Sequence, residues 1–168
     1  MSKNLPSAMT PAQFVAVFGG IFEESPWVAE TLWHEGISTE HDTPTALAAA
    51  MVQVVQHAGS ERQQALIMAH PVLGTQQKMG AYSMQEQQQA NLTAMSASEA
   101  QQLQQLNHAY MEKFNMPFIM AVKGKTTPTI IATLQQRLQT NAPAEEQENA
   151  LQEIYKIATL RLQALWQK

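Results

Sequence analysis

His70 is the first residue whose type and setting could support acid–base chemistry. It ends a helical pattern and precedes Pro71, and proline disfavours the helical conformation for the residue before it. Gly74 permits a sharp bend shortly afterwards. The sequence therefore presents an imidazole at a helix end, where it could reach a ligand and exchange protons near neutral pH. The alternative is a helix-end histidine that faces only water or a neighbouring carbonyl group.

Glu86 is the second candidate, and its pattern has two interpretations. Ser83-Met84-Gln85-Glu86 matches a capping box, in which a glutamate three residues after a serine bonds the backbone at a helix N-terminus. A carboxylate in the first helical turn is also favoured by the helix dipole. Glu86 is therefore either part of a cap or a group that binds a substrate and moves a proton.

Arg161 is the third candidate, because it lies on the apolar side of the last predicted helix. It follows Ile154 by seven residues, which places it about 20° from the inward stripe on a helical wheel. That stripe consists of Leu151, Ile154, Ala158, Leu162 and Leu165. The guanidinium could extend outward while its stem is buried. A buried guanidinium would need an acceptor, and a substrate carboxylate is a natural one.

If Arg161 binds a substrate carboxylate, the protein without substrate carries an energetically costly charge on an apolar stripe. Replacing Arg161 with methionine is then expected to leave stability unchanged or to raise it, provided that no protein carboxylate depends on the pairing.

An apolar run at residues 117–122 interrupts the helical pattern. Proline at 117 ends a helix, and the run that follows is too short for another one. We expect this segment to be extended and buried. With no other strand signal in the chain, its backbone groups need partners from side chains, water or a ligand. It is either a binding ledge or a segment tightly packed against loops.

Helix-start signals recur along the chain and define the elements that must position these groups. They lie at Thr10-Pro11, Ser25-Pro26, Thr43-Pro44, Ser60, Ser83, Ser96, Thr127-Pro128 and Pro143. Trp27 and Trp33 are expected in the core, and Glu145, Glu146 and Glu148 are expected in the first turns of the last helix. The predicted fold is an all-α, single-domain helical bundle of about eight helices with one short extended segment, 117–122.

Composition narrows the classes of function. The 168 residues are 45% hydrophobic and 14% charged, which suits one globular domain spanning 1–168. A net charge of −4, with only 10 Lys and Arg residues, argues against a nucleic-acid or membrane partner. No apolar run reaches the ~18 residues of a membrane span, and a cytoplasmic protein is expected. A homodimer is compatible with the sequence.

Metal and thiol chemistry also lack support in the sequence. Cysteine is absent, which excludes a disulfide framework, a thiol nucleophile and a thiolate metal site. The other histidines, at positions 34, 41, 57 and 108, do not have metal-ligand spacing.

Four motifs occur together in one order: HPVLG at 70–74, Ser83-x-x-Glu86-Gln87, FNMPFIMAVKG at 114–124 and IATLRL at 157–162. Together they resemble the 2-oxo-4-hydroxy-4-carboxy-5-ureidoimidazoline (OHCU) decarboxylases, the third enzymes of the route from urate to allantoin. The resemblance extends from about residue 10 to the end. Two features depart from the family's pattern: Asn115-Met116 stands where Gly-Phe is common, and the connection between His70 and Ser83 is short.

The resemblance implies an all-helical enzyme that uses no metal or organic cofactor and releases CO2 from a small ureidoimidazoline carboxylate to give (S)-allantoin. It implies His70, Glu86 and Arg161 as catalytic residues. It further implies a substrate lining formed by Pro71, Ser83, Met84, Gln85, Gln87, Phe118, Ile119, Met120, Ala121 and Val122. Arg161 would orient the carboxylate, His70 would act as general acid or base, and Glu86 would bind N–H groups and steer the proton.

Two other classes of function stay open. A cofactor-free hydrolase or isomerase acting on another small ureide could use the same His, Glu and Arg set, and a product assay separates it from a decarboxylase. A non-enzymatic helical binding module could use the ten methionines as an adaptable groove. Their scatter along the chain argues against such a groove.

Overall fold

A computed structural model of the protein describes residues 5–74, 79–90, 92 and 95–167. Eight α-helices make up most of these described residues. The helices are α1 Pro11–Phe18, α2 Trp27–Glu35, α3 Pro44–His57, α4 Ser60–Met68, α5 Ala81–Gln89, α6 Ala97–Phe114, α7 Thr127–Thr140 and α8 Pro143–Gln167. Two short 3-10 helices occupy Pro6–Ala8 and Thr39–His41. The described residues contain no strand, so the prediction of an all-α fold with about eight helices is confirmed.

Several helices begin where their capping residues predict. Thr10 caps α1, with its hydroxyl accepting from the Gln13 N–H at 3.3 Å while Gln13 accepts from the Thr10 N–H at 2.9 Å. Thr43 caps α3 by accepting from the Ala46 N–H at 3.2 Å. Ser96 and Glu99 form the same reciprocal pair at the start of α6. Each cap satisfies backbone N–H groups that have no partner inside the helix.

Three sequence-based expectations are wrong. Helix α5 begins at Ala81 with Gly80 as its N-cap, so Ser83 is the third helical residue rather than a cap. Ser25 does not cap α2, because its hydroxyl donates to the Glu23 carbonyl at 2.8 Å and Pro26 takes the N-cap position. Trp27 and Trp33 are half-buried at the edge of the packed helices rather than inside the core.

The chain divides into two compact units. The first contains the chain up to Ala69 together with the part from Tyr155 onward. In this unit α2 packs against α1 and α3. The Phe14 and Phe18 rings lie 5.0 Å apart, and the Phe18 ring stacks on Trp166 at 5.9 Å. Leu47, Met51 and Val55 of α3 are fully buried.

The second unit extends from His70 to Ile154. Helix α6 packs against α7 within it. Tyr110 lies at its centre, with its ring 4.6 Å from that of Phe114 and 5.4 Å from that of Phe118. These aromatic contacts bring the segment after α6 into the core of the unit.

Among the helices of the described residues, none is both long enough and apolar enough to cross a membrane.

Candidate active site

His70 lies immediately beyond the end of α4, where Ala69 is the C-cap. This position confirms the predicted helix end. The imidazole is only 5% exposed and its Nε2 atom is buried, so the alternative of a histidine facing water is wrong. Pro71 is also buried.

Two carboxamides fix the turn that follows His70. The Asn107 Nδ2 atom donates to the Leu73 carbonyl at 3.0 Å, and the Gly74 N–H donates to Gln87 Oε1 at 2.9 Å. Gly74 has a φ of 75°, and a Cβ atom there would lie 2.6 Å from a Leu103 methyl carbon. Only glycine fits this turn without displacing its neighbour.

Asn107 is absent from the sequence-based prediction, although a signal for it exists. It follows Leu103 by four residues and precedes Tyr110 by three, so it shares their buried face of α6. A polar residue on such a face needs hydrogen-bond partners.

Helix α5 presents the predicted residues on two faces. Ser83 and Gln87, four residues apart, are buried at 5% and 3% exposure, and Glu86 is half-buried. Met84 and Gln85 are exposed. Gln87 also donates through Nε2 to the Met79 sulfur at 3.6 Å. The structure therefore links Gln87 of α5 to the turn that follows His70.

The segment 117–122 lies outside any helix, and residues 117–120 and 122 are buried, as predicted. Its backbone is held by side chains from two helices. The Ile119 carbonyl accepts from Arg137 Nη1 of α7 at 2.9 Å, and the Ala121 N–H donates to Glu153 Oε1 of α8 at 3.3 Å. The Arg137 guanidinium also stacks 4.7 Å from the centre of the Phe118 ring. Side chains are thus the partners that the isolated extended segment needs.

Asn115, which departs from the family's pattern, has a left-handed backbone with φ 57° and ψ 36°. Its N–H donates to the Met111 carbonyl at 2.8 Å and ends α6. Glycine adopts this conformation most readily, and asparagine tolerates it better than most other residues. The substitution therefore suits the shape of the turn into the extended segment.

A buried carboxylate, Glu146, supports this segment indirectly, because it binds the Arg137 side chain that donates to Ile119. It is fully buried and accepts hydrogen bonds from four side chains. The donors are Tyr110 Oη at 2.5 Å, Arg137 Nε at 2.5 Å, Asn141 Nδ2 at 2.7 Å and Asn149 Nδ2 at 3.3 Å. Glu146 follows the predicted helix start, but it also lies four residues before Ala150 and eight before Ile154, on the buried stripe of α8.

The charge states of this cluster follow from its contacts. Burial alone would raise the pKa of Glu146, but the hydrogen bonds from Tyr110, Arg137 and Asn141 and the charge of Arg137 hold that pKa below its ordinary value. Burial and the neighbouring Glu146 carboxylate raise the pKa of Tyr110 far above its ordinary value. Glu146 is therefore the anion and Tyr110 the neutral donor.

Arg161 belongs to the first unit, whereas His70 and Glu86 belong to the second. Its side chain is 2% exposed, which excludes the outward orientation. Nη1 donates to the Ile21 carbonyl at 2.9 Å, and Nη2 lies 3.6 Å from Oε2 of the equally buried Glu23. The Arg161 guanidinium thus has a protein carboxylate beside it, which the sequence pattern did not predict. That His70, Glu86 and Arg161 converge on one substrate stays a prediction.

A cavity of about 570 Å³ in the second unit contains none of the predicted site residues. It is lined by Gln89, Met95, Glu99, Gly124, Lys125, Thr126, Thr127 and Pro128. Glu99 is already engaged in the cap of α6, and the lining carries no acid–base group other than Glu99 and Lys125. Elsewhere in the described part of the chain, no three His, Cys, Asp or Glu residues are grouped so that they could hold a metal ion.

Residues 7–163 match the OHCU decarboxylase family. The chain is 38% identical over 160 residues to the uric acid degradation bifunctional protein of Bacillus sp. (strain TB-90), which covers 95% of this chain and 31% of that protein. It is 38% identical over 153 residues to the 2-oxo-4-hydroxy-4-carboxy-5-ureidoimidazoline decarboxylase of Halalkalicoccus jeotgali, covering 91% of this chain and 85% of that one. The chain thus spans about a third of the first relative and most of the second.

A solved structure also resembles this chain. The crystal structure of an OHCU decarboxylase in the presence of (S)-allantoin has a TM-score of 0.69 with this chain at 26% sequence identity. The match covers 84% of this chain and 92% of that one.

Proposed function

The chain belongs to the OHCU decarboxylase family, and on this premise we propose that it converts 2-oxo-4-hydroxy-4-carboxy-5-ureidoimidazoline to (S)-allantoin and CO2. The reaction is the third step from urate to allantoin and needs no cofactor. The observation that carries the proposal is the family match over residues 7–163, a range that includes His70, Glu86 and Arg161.

The reaction determines which groups are needed. Breaking the bond between C4 and the carboxylate leaves an electron pair that forms a C4=C5 double bond. The π electrons of the C5=N imine move to the ring nitrogen, which takes a proton. A proton then adds to one face of C5 while the C4 hydroxyl loses its proton and becomes a carbonyl. The enzyme must hold the carboxylate, supply protons and select one face.

His70 is the proposed general acid or base. Histidine titrates near neutral pH, and the imidazole of this chain is buried in a turn fixed by Asn107 and Gln87. A fixed ring can hold a proton at one position relative to a bound substrate. Glu86, half-buried on α5, is proposed to bind the ureido or ring N–H groups and to steer the proton. Either residue could make the final transfer to C5.

Arg161 is proposed to bind the substrate carboxylate. The guanidinium fork suits a carboxylate better than a lysine ammonium does, because it can donate two parallel hydrogen bonds. Its contacts with Ile21 and Glu23 fix the direction of that fork.

The remaining substrate contacts are proposed along α5 and the extended segment. Pro71, Ser83 and Gln87, which are buried in this structure, are proposed to line one side of the substrate. Met84 and Gln85, whose side chains are exposed in this structure, are proposed to complete this part of the lining. The backbone of residues 118–122 would supply the other wall.

The setting of the enzyme is also a proposal. A cytoplasmic location is proposed, and the net charge of −4 argues against a nucleic-acid or membrane partner. We further propose that residues 1–168 form one decarboxylase-like domain, with a homodimer as the assembly to test by light scattering. One cooperative unfolding transition would support the single domain.

The function is tested by supplying fresh substrate from urate through the two upstream enzymes. Circular dichroism then follows the formation of (S)-allantoin against spontaneous decay of the substrate.

A further inference from the structure

We propose that Arg137, fixed by Glu146, is a positioning residue that sets the backbone of residues 119–121 for substrate binding. This inference rests on the proposed function, in which residues 118–122 form one wall of the site. No part of the four motifs includes Arg137 or Glu146.

The nitrogen atoms of the Arg137 guanidinium contact two different partners. Its Nε and Nη2 atoms face the Glu146 carboxylate, and its Nη1 atom donates to the Ile119 carbonyl at 2.9 Å. The planar fork makes these directions interdependent, because rotating one N–H rotates the others. The orientation of the Ile119 carbonyl therefore depends on where Glu146 holds the fork.

Glu146 is suited to hold it. The carboxylate is fully buried, and Tyr110, Asn141 and Asn149 donate to it in addition to Arg137. Donors from three parts of the unit leave it little freedom to move. Glu146 therefore works as a fixed anchor in the core of the second unit.

The far end of the same short stretch is held independently. Two residues after Ile119, the Ala121 N–H donates to Glu153 Oε1 at 3.3 Å. Immediately before Ile119, the stacking of the Arg137 guanidinium on the Phe118 ring limits the rotation of Phe118. Two charged side chains thus fix a three-residue stretch that has no helix or sheet to fix it.

A stability role alone accounts poorly for this arrangement. Buried ion pairs can often be replaced by apolar residues with no loss of stability. An apolar pair at positions 137 and 146 would fill space, but it would leave the Ile119 carbonyl without its donor. What the charged pair supplies beyond packing is a defined backbone direction next to the substrate.

The test compares Arg137→Lys with Gln139→Lys, which places a lysine at an exposed position on the same helix. A lysine ammonium cannot reproduce the fork, so the Arg137→Lys variant should show KM for OHCU raised about tenfold with kcat changed less than about threefold. The Gln139→Lys control should match the wild type. An unchanged KM in a folded Arg137→Lys variant would overturn the proposal.

Amide hydrogen exchange provides a readout that does not depend on activity. Exchange over residues 119–122 should be faster in Arg137→Lys than in the wild type, with exchange in α3 unchanged. Equal exchange at 119–122 would overturn the positioning inference. An inactive wild type would instead refute the proposed function, so the two failures are distinguishable.

A second variant covers the case in which Arg137→Lys does not fold. The charge-neutral pair Arg137→Met with Glu146→Gln should fold, because no unpaired buried charge is left. It should still show the raised KM and the faster exchange at 119–122, since the Ile119 carbonyl has lost its donor. Wild-type values of both in this folded variant would overturn the proposal.

Discussion

Arg161 and Glu23 form a buried pair in the first unit, with Nη2 and Oε2 3.6 Å apart and each side chain 2% exposed. The pair changes what the sequence predicts about Arg161. The expectation of unchanged or raised stability on removing the arginine holds only when no protein carboxylate depends on it, and Glu23 lies within ion-pair distance. Removing one partner takes an opposite charge away from a carboxylate that stays buried.

Arg161→Met is therefore expected to lower the free energy of unfolding by about 3–5 kcal/mol. The double variant Arg161→Met with Glu23→Gln should recover most of this loss, because neither charge is left buried. Urea denaturation of the two variants and the wild type measures the effect. An equal loss in the single and double variants would show that Glu23 does not depend on Arg161. Both variants should lack activity if Arg161 binds the substrate carboxylate.

His70→Asn removes the titrating group but keeps a polar side chain of smaller volume. We expect turnover to fall by about 10²–10⁴-fold if His70 is the general acid or base. The matched control is His57→Asn, since His57 is exposed at the end of α3. Steady-state turnover, measured per folded molecule, distinguishes a catalytic from a structural role of His70. Near-normal turnover in His70→Asn would show that His70 has only a structural role, at the turn that follows α4.

Glu86→Gln tests the catalytic interpretation of Glu86, because Gly80 rather than Ser83 is the N-cap of α5 and the capping interpretation is wrong. Glutamine has nearly the same size and can still form hydrogen bonds, so the variant should stay folded while activity falls at least about tenfold. Glu99→Gln provides the control, since it lies in the real capping box of α6, which glutamine can also complete. That variant should be stable and active. A destabilised Glu86→Gln with normal activity per folded molecule would contradict the catalytic role.

The lowered pKa of Glu146 predicts that the free energy of unfolding depends on pH. Its pKa in the folded state lies below the ordinary value of 4.5, so the unfolded chain binds the proton more readily. The stabilisation is complete above about pH 4.5 and is lost as the pH falls through the lower, folded-state pKa. Urea denaturation between pH 3 and pH 6 should show this loss in the wild type. The slope should shrink in Glu146→Gln and persist in Glu145→Gln, an exposed neighbour.

Local signals account for the parts of the fold that were predictable. The caps at Thr10, Thr43 and Ser96 depend on residues within three positions of each other, so the sequence reveals them directly. The same kind of signal is misleading at Ser83, because α5 has already begun after its N-cap, Gly80. A serine–glutamate spacing cannot distinguish a cap from a position inside the first turn.

Partnerships across long stretches of chain were not predictable from one sequence. Glu146 pairs with Tyr110, 36 positions away, and Arg161 donates to Ile21, 140 positions away. No periodicity links such residues, although the buried stripe of α8 does mark positions 146 and 161 as inward. The candidate site itself came from the resemblance of four motifs to a family, since spacing alone left His70, Glu86 and Arg161 each with a structural alternative.

The central claim is tested most directly by the formation of (S)-allantoin from OHCU generated fresh from urate by the two upstream enzymes. Circular dichroism should show one enantiomer accumulating in proportion to the amount of this protein, well above spontaneous decay. The His70→Asn variant should reduce the signal to near the spontaneous level. A wild-type protein that leaves both the rate and the enantiomeric composition of allantoin unchanged would contradict the assignment.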